Sequence, residues 1–568
     1  LTLTIDGKPL DKAPQRELAA AKKDTAFDQG SGTALIDTWS QHGTRDLALL
    51  GKAWGVLKYY HPDVAAGKYN RDYELFRALP KFAAAKDKSA FLSEWVSGFG
   101  KPAKCETCSP PVDAAVVADH RWLEDESVGV ELRDQLRYLI DNRPLFDKHY
   151  YVAAAPGIGN PSFKNEASYE DMPYPDVGFR YLAAVRFWNI IHYYFPYREE
   201  MDVDWADALA ENIPAIVGAK DEYAYERAMT KMIGQIKDTH ANLWGGNDKV
   251  QERRGGNIPP FRATFVEEKL TVVDYFDLAS EPSGDAPLPG DVITHVNGKA
   301  VTDYVKEEAE YFPASNQAAR LRDIGETILR SSDSTIVLTL IRDGKSSDKT
   351  VALQPLRETT GYYRWFRRDA EEPAYKMLDN NIGYLTLANV TNESYAEAKK
   401  AFKDARGIII DIRNYPSAFG PFAFGGFLLE ENTPFVKFTS MDLANPGYFT
   451  MSDPLEIPAD AEPFKGKVVV LVNELSQSQA EYTAMAFRAS PNTTVIGSTT
   501  AGADGNVSPI PLPGGMRTMI SGLGVFYPDG EATQRVGIVP DIEMKPTIAG
   551  IRAGRDELLE RAIQEILR

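Results

Sequence analysis

Two stretches of this chain, 134 residues apart, read almost alike. Trp54-Gly-Val-Leu-Lys-Tyr-Tyr-His-Pro62 matches Trp188-Asn-Ile-Ile-His-Tyr-Tyr-Phe-Pro196, and the same offset pairs Pro80 with Pro214, Ala85-Lys-Asp87 with Ala219-Lys-Asp221 and Gly100 with Gly234, without a gap. In each copy the apolar spacing predicts a helix ended by proline, then two further helices. Two copies are too few to stack into a solenoid, so the expectation is a pair of packed helical bundles. The copies diverge after Gly234. There the second runs Gln235-Ile-Lys-Asp-Thr-His240-Ala-Asn-Leu243 where the first has Lys101-Pro-Ala-Lys-Cys-Glu106, which sets Glu106 opposite His240.

The rest of the chain changes character around these copies. Residues 1–43 form an arm and linker, in which Leu1-Thr-Leu-Thr-Ile-Asp-Gly-Lys8 alternates like a hairpin and Gln29-Gly-Ser-Gly-Thr33 is flexible in composition. The first helical copy occupies 44–155 and the second, carrying His240, 156–257, with Pro156 to Gly178 as the connecting loop. In 258–356, Asn297-Gly298 closes a hairpin between alternating strands. Segments Ser334–Arg342 and Lys349–Leu353 add two more strands, and Asp303 to Ser331 reads as a helical insertion. Residues 357–568 alternate short β-branched runs with helical segments, which predicts an α/β core with a partly parallel sheet, closed by an amphipathic helix over 555–568. The expected class is multidomain α+β.

One stretch of that core has the form of a reactive centre. Val468-Val-Val-Leu-Val472 reads as a buried strand, and the alanine-rich segment Tyr482 to Ala489 reads as a helix. Ser476 and Ser478 lie between them, where backbone N–H groups at a helix start are unpaired. A serine there either caps the helix or attacks a carbonyl whose oxyanion those groups stabilise.

Gly407-Ile-Ile-Ile-Asp-Ile-Arg-Asn-Tyr-Pro416, Asn473…Ser478…Glu481 and Gly537-Ile-Val-Pro-Asp541 together resemble the C-terminal processing peptidase family, which includes the tail-specific proteases and the core of tricorn protease. The resemblance implies a crotonase/ClpP-like peptidase core, a PDZ-like domain over 258–356 signalled by Leu288-Pro-Gly-Asp-Val-Ile-Thr-His-Val-Asn-Gly-Lys299, and hydrolysis of peptide bonds through an acyl-enzyme without metal or cofactor. It places the nucleophile at Ser478 and one oxyanion donor at the Gln479 N–H. The second donor falls at Ser417, where many members have glycine. Lysine-dependent members have Gly-Lys-Gly where this chain has Gly502-Ala-Asp-Gly505, and no lysine occurs between Lys467 and Lys545, so the Ser–Lys dyad is absent at the family position. The base is therefore expected from the histidines, all of which precede residue 296. Asp-Thr-His240-Ala-Asn-Leu resembles the histidine motif of the tricorn branch, with Thr239 as the hydroxyl partner of the imidazole. A fourth relay residue, glutamate in that branch, falls at Gln534, with Glu531 three residues earlier as the other candidate. Asp541 and Arg413 read as structural. The family also contains non-catalytic binding modules on this core, so a weakly active or inactive peptide- or lipophile-binding protein is the alternative reading.

Net charge is −18 and there is no long basic run, which argues against nucleic acid and anionic membrane surfaces as partners. The expected partner is a peptide or protein substrate. No apolar stretch reaches the length of a membrane span. Cys105 and Cys108, the two cysteines, form either a local disulfide or two free thiols. The first residue is Leu, consistent with a removed signal peptide, and together with the resemblance this gives an expected location outside the cytoplasm, periplasmic or secreted.

Overall fold

The computed structural model describes residues 4–5, 8–9, 18–34, 41–143, 148–277, 285–359 and 373–568. Its first half is helical. Helices α1 (Gln41–Tyr60), α2 (Arg71–Ala84) and α3 (Lys88–Ser97) are followed by α4 (Val130–Asp141), and then by α5 (Val177–Tyr194), α6 (Trp205–Val217) and α7 (Glu222–Gly234). Asn70 and Asp204 cap α2 and α6, and Asp87 and Asp221 cap α3 and α7 by accepting from Ala90 N and Ala224 N. Each cap satisfies an amide that has no intrahelical acceptor. The Trp54 indole donates to Arg71 O at 2.7 Å, and the Trp188 indole donates to Trp205 O at 2.6 Å. Helices α1 and α5 approach closely. Tyr181 donates to Leu47 O, Asn189 donates to Gly51 O, and a Cβ on Gly55 would lie 1.6 Å from the Asn189 amide oxygen. Cys105 and Cys108 are joined as a disulfide. The segment around Ser31 is clipped to the cap of α5, since Ser31 N and Oγ both donate to the Asp176 carboxylate.

The middle of the chain is an antiparallel sheet. Strands β1 (Phe261–Val266), β2 (Lys269–Tyr275), β3 (Val292–Val296), β4 (Thr335–Arg342) and β5 (Lys345–Ala352) lie in the order β5-β4-β3-β2-β1. Asn297 (φ +48°) and Gly298 (φ +78°) turn the chain after β3, the two positive values that a tight two-residue hairpin turn demands. Helices α8 (Val301–Glu308) and α9 (Gln317–Thr327) follow that turn.

The last part holds the main sheet. It comprises β6 (Tyr375–Leu378), β7 (Ile382–Thr386), β8 (Gly407–Asp411), β10 (Lys467–Val472), β11 (Thr493–Gly497) and β14 (Ile542–Glu543) in that spatial order, parallel except for β6 against β7. The alternation of residues decides its layers. Ile408, Ile410, Val468, Val470 and Val495 face α10 (Asn392–Phe402) and α11 (Gln479–Arg488), while Ile409, Val469, Leu471 and Ile496 face α12 (Glu557–Leu567). Both faces are covered, which is why these strands read as unbroken apolar runs. Each fully buried Val, Leu or Ile contributes about 1.5–3 kcal/mol.

Two features lock this core to the helical half. Strand β9 (Thr433–Met441) pairs with Phe449–Met451, which in turn pairs with Ala114–Val116 from between α3 and α4. The hairpin of β12 (Val507–Leu512) and β13 (Met516–Ser521) sends Ile510, Leu512, Met516 and Ile520 into the same apolar cluster as Trp188 and Ile190. Arg186 and Tyr225 hydrogen-bond Pro511 O and Pro513 O on that hairpin.

Candidate active site

Ser478 stands at the carboxyl edge of the parallel sheet, between the end of β10 and the start of α11. Its backbone has φ +56° and ψ −118°, a conformation that side-chain-bearing residues rarely adopt and that costs on the order of 1–3 kcal/mol. The surroundings enforce it. Ser478 N donates to Ala503 O at 2.9 Å and to Glu481 Oε2 at 3.1 Å. Glu481 is fully buried and also accepts from Thr500 Oγ1, Gly502 N and Ala503 N, so it ties the serine turn to the loop 500–503. Burial raises its carboxyl above the ordinary value, and these four donors work against that rise. Ser476 is different in kind, because its hydroxyl is buried and donates to Ile412 O at 2.7 Å. Ser478 is half-buried and lines a cavity of about 550 Å³ together with Gln479, His240 and Asp504. Gln479 opens α11, so its N–H has no acceptor inside the helix.

His240 reaches this cavity from the helical half. The segment that carries it is pinned on both sides: Trp244 N donates to Arg517 O, Arg517 N donates to Gly245 O, and the Trp244 indole donates to His240 O. The imidazole Nδ1 is 2.9 Å from Ser521 Oγ and 3.6 Å from Asp238 Oδ1. Asp238 is fully buried. It accepts from Ser521 N at 2.6 Å, Ser521 Oγ at 3.1 Å and His240 N at 3.0 Å. Burial would push this carboxyl up, but the hydrogen bonds and charge of His240, with the Ser521 amide, outweigh it and hold it below the ordinary range.

These contacts correct three expected roles. The Thr239 hydroxyl is not against the imidazole; it donates to Ala501 O and accepts from Ser315 N, bracing the loop from outside. Neither candidate for the fourth relay residue touches His240. Gln534 is buried behind the turn with its amide toward Lys237 O at 3.4 Å, and Glu531 is exposed, with its own N–H on Asp529. The N–H of Ser417 is engaged with Leu387 O at 2.9 Å, so it does not serve the cavity as an oxyanion donor. Two site residues escape the sequence patterns, Asp238 and Ser521. Asp238 lies two residues before His240, inside the motif already singled out. Ser521 carries no local signal, since only the hairpin brings it across 281 residues of chain.

Residues 381–544 match the profile of peptidase family S41. This segment is an S41 peptidase domain. It makes the chain a serine-type peptidase, a hydrolase. A carboxy-terminal-processing protease of Bartonella bacilliformis is 22% identical over 361 residues, covering 60% of this chain and 74% of that protein. Among solved structures, mature CPAF, alone and complexed with lactacystin, superposes with a TM-score of 0.51 at 14% identity, over 69% of this chain and 96% and 98% of those chains. The multidomain mixed α/β fold thus resembles that of S41 peptidases. Among the described residues no helix is long and apolar enough to cross a membrane, and no cluster of His, Cys, Asp and Glu could hold a metal.

Proposed function

We propose that the S41 domain cleaves peptide bonds with Ser478 as nucleophile and His240 as general base. The observation that carries this is the direction of the hydrogen bonds behind the imidazole. An ionised Asp238 can only accept, so the Ser521 hydroxyl must donate to it. Ser521 then accepts from His240 Nδ1–H, which fixes the tautomer and leaves Nε2 as the basic nitrogen. As Ser478 Oγ bonds to the scissile carbonyl carbon, Nε2 takes its proton and later delivers it to the leaving amine. Water then repeats the sequence to release the acid. Asp238, through Ser521, stabilises the imidazolium in between. The Gln479 N–H, at the positive end of α11, is one oxyanion donor. The strained backbone of Ser478 presents the hydroxyl at a strand-to-helix elbow.

A fluorophosphonate probe is expected to label Ser478, and Ser478→Ala to abolish both labelling and peptide turnover. Labelling elsewhere, or turnover retained in Ser478→Ala, rejects the assignment. The engaged Ser417 N–H favours a second reading, a binding protein with little turnover, because one expected oxyanion donor is closed. Absence of any labelling would support that reading instead.

On this reading the chain divides into an arm and linker (1–43), duplicated helical modules (44–155 and 156–257), a PDZ-like domain (258–356) and the peptidase core (357–568). The in-step caps and indole bonds of the two triplets support the duplication. The hairpin at Asn297-Gly298 and the antiparallel sheet it belongs to support the PDZ-like reading. A compartment outside the cytoplasm fits the kinship with carboxy-terminal-processing proteases.

A further inference from the structure

Asp504 is a buried carboxyl that the proposed mechanism does not use. It lines the same cavity as Ser478 and His240 and is 2% exposed. Its Oδ1 accepts from Gly505 N at 2.7 Å, and its Oδ2 has no hydrogen-bond partner among the described residues. Unpaired carboxylate oxygens are rarely left inside proteins, because removing them from water is costly. Among the described residues no lysine or arginine lines the cavity. Burial, reinforced by the nearby Glu481 carboxyl, pushes Asp504 well above the usual carboxylate range, so the acid form is favoured until a cation is brought against it, and the cation then favours the carboxylate.

The walls around this carboxyl are apolar and aromatic. Tyr482 stacks on Phe419 at 5.8 Å and on Phe438 at 6.0 Å, Val507, Met519 and Val525 add to this apolar part of the lining, and Gln477 and Asn506 are uncharged polar groups beside it. An apolar sleeve with one acidic group inside suits a side chain that is itself an apolar stem with a cationic end. The stem packs on the aromatic faces, and the cation meets both the ring faces and the carboxyl.

We propose that this cavity selects peptide substrates with lysine or arginine next to the scissile bond, and that Asp504 is the counter-charge that receives the cation. The inference rests on the reading of Ser478 and His240 as the reacting pair, since that pair sets where the scissile bond lies. Asp504 here is a specificity-determining residue and takes no part in bond making.

The test uses the full chain and a set of fluorescein-labelled peptides that differ only in carrying arginine, lysine, leucine or citrulline at that position. Citrulline keeps the shape of arginine without its charge. Both binding by anisotropy and kcat/KM are measured for wild type, Asp504→Asn and Asp504→Ser. Wild type is expected to favour arginine over citrulline by tenfold or more, and the ratio is expected to fall to within twofold in both variants. Equal handling of arginine and citrulline by wild type, or an unchanged ratio in the variants, overturns the proposal. The binding arm separates it from the catalytic reading: arginine selectivity that persists in binding while no probe labels Ser478 removes the serine mechanism and leaves the cation site standing.

Discussion

The two helix triplets keep step for three helices and then part. Capping residues recur at Asn70 and Asp204 and again at Asp87 and Asp221, and a tryptophan indole closes each α1–α2 and α5–α6 corner. Beyond the third helix the first triplet runs into the exposed Cys105–Cys108 disulfide loop, with Glu106 in solvent. The second runs into a buried turn held by Ser315, Ala501, Arg517 and Ser521. The interiors differ too. Lys58 sits in a buried ion network with Glu166, which also meets Arg186, whereas the residue at the equivalent position, His192, stacks on Trp188 at 4.5 Å. One architecture thus serves two ends, and the segment after the third helix, rather than the helices themselves, decides which.

The sharpest break of this comparison is at its ends. His240→Ala is expected to lower kcat by about 10²–10⁴-fold, because a general base is lost. Retained turnover in that variant would return the second triplet to a purely structural role. Next comes Asp238→Asn, expected to lower kcat by about 10–10³-fold. That is less than the ~10⁴ seen where a carboxylate touches the imidazole directly, since Ser521 intervenes here. An unaltered pH–rate profile in Asp238→Asn would count against the relay.

Acid should then weaken the helical half as a whole. Burial, with the positive charge of Lys58 behind it, pushes His149 down to about 4, and burial also depresses His192. The unfolded chain takes up a proton as pH falls below about 6.5, while the folded chain refuses it, so stability declines in that direction. For His149 the loss approaches about 3 kcal/mol near pH 4. Denaturant midpoints at several pH values test this, and His149→Gln should flatten the slope.

Smaller effects come from the corners. Trp54→Phe and Trp188→Phe should each cost about 1–3 kcal/mol, because a buried carbonyl loses its donor. Markedly unequal losses would mean the two corners are not equivalent. Smallest of all, Glu106→Ala should change stability by less than about 0.5 kcal/mol and leave turnover as it was.

Much of this architecture is written in short-range patterns. The prolines after Tyr60 and Tyr194, the doubly apolar strand Val468–Val472 and the Asn297-Gly298 turn all act within a few residues, so periodicity and turn chemistry find them. The placement of Ser478 at the start of a helix, with a second serine turned inward, also reflects local chain direction. The Ser521 partner of His240 does not show in sequence, because it depends on the β12–β13 hairpin folding back across the helical half. The expectation for Thr239 fails for the same reason. A hydroxyl beside a histidine in sequence points away from it when the turn is pinned from both sides.

The β12–β13 hairpin also has a temporal consequence. It is made late in the chain, yet it supplies Ser521, the hydroxyl behind the imidazole, and four apolar side chains of the helical core. A nascent chain that has only just released the His240 segment from the ribosome therefore holds neither Ser478 nor Ser521. On the proposed reading, no chain can cleave anything until both the Ser478 turn and the β12–β13 hairpin have been made and have folded back onto the helical half.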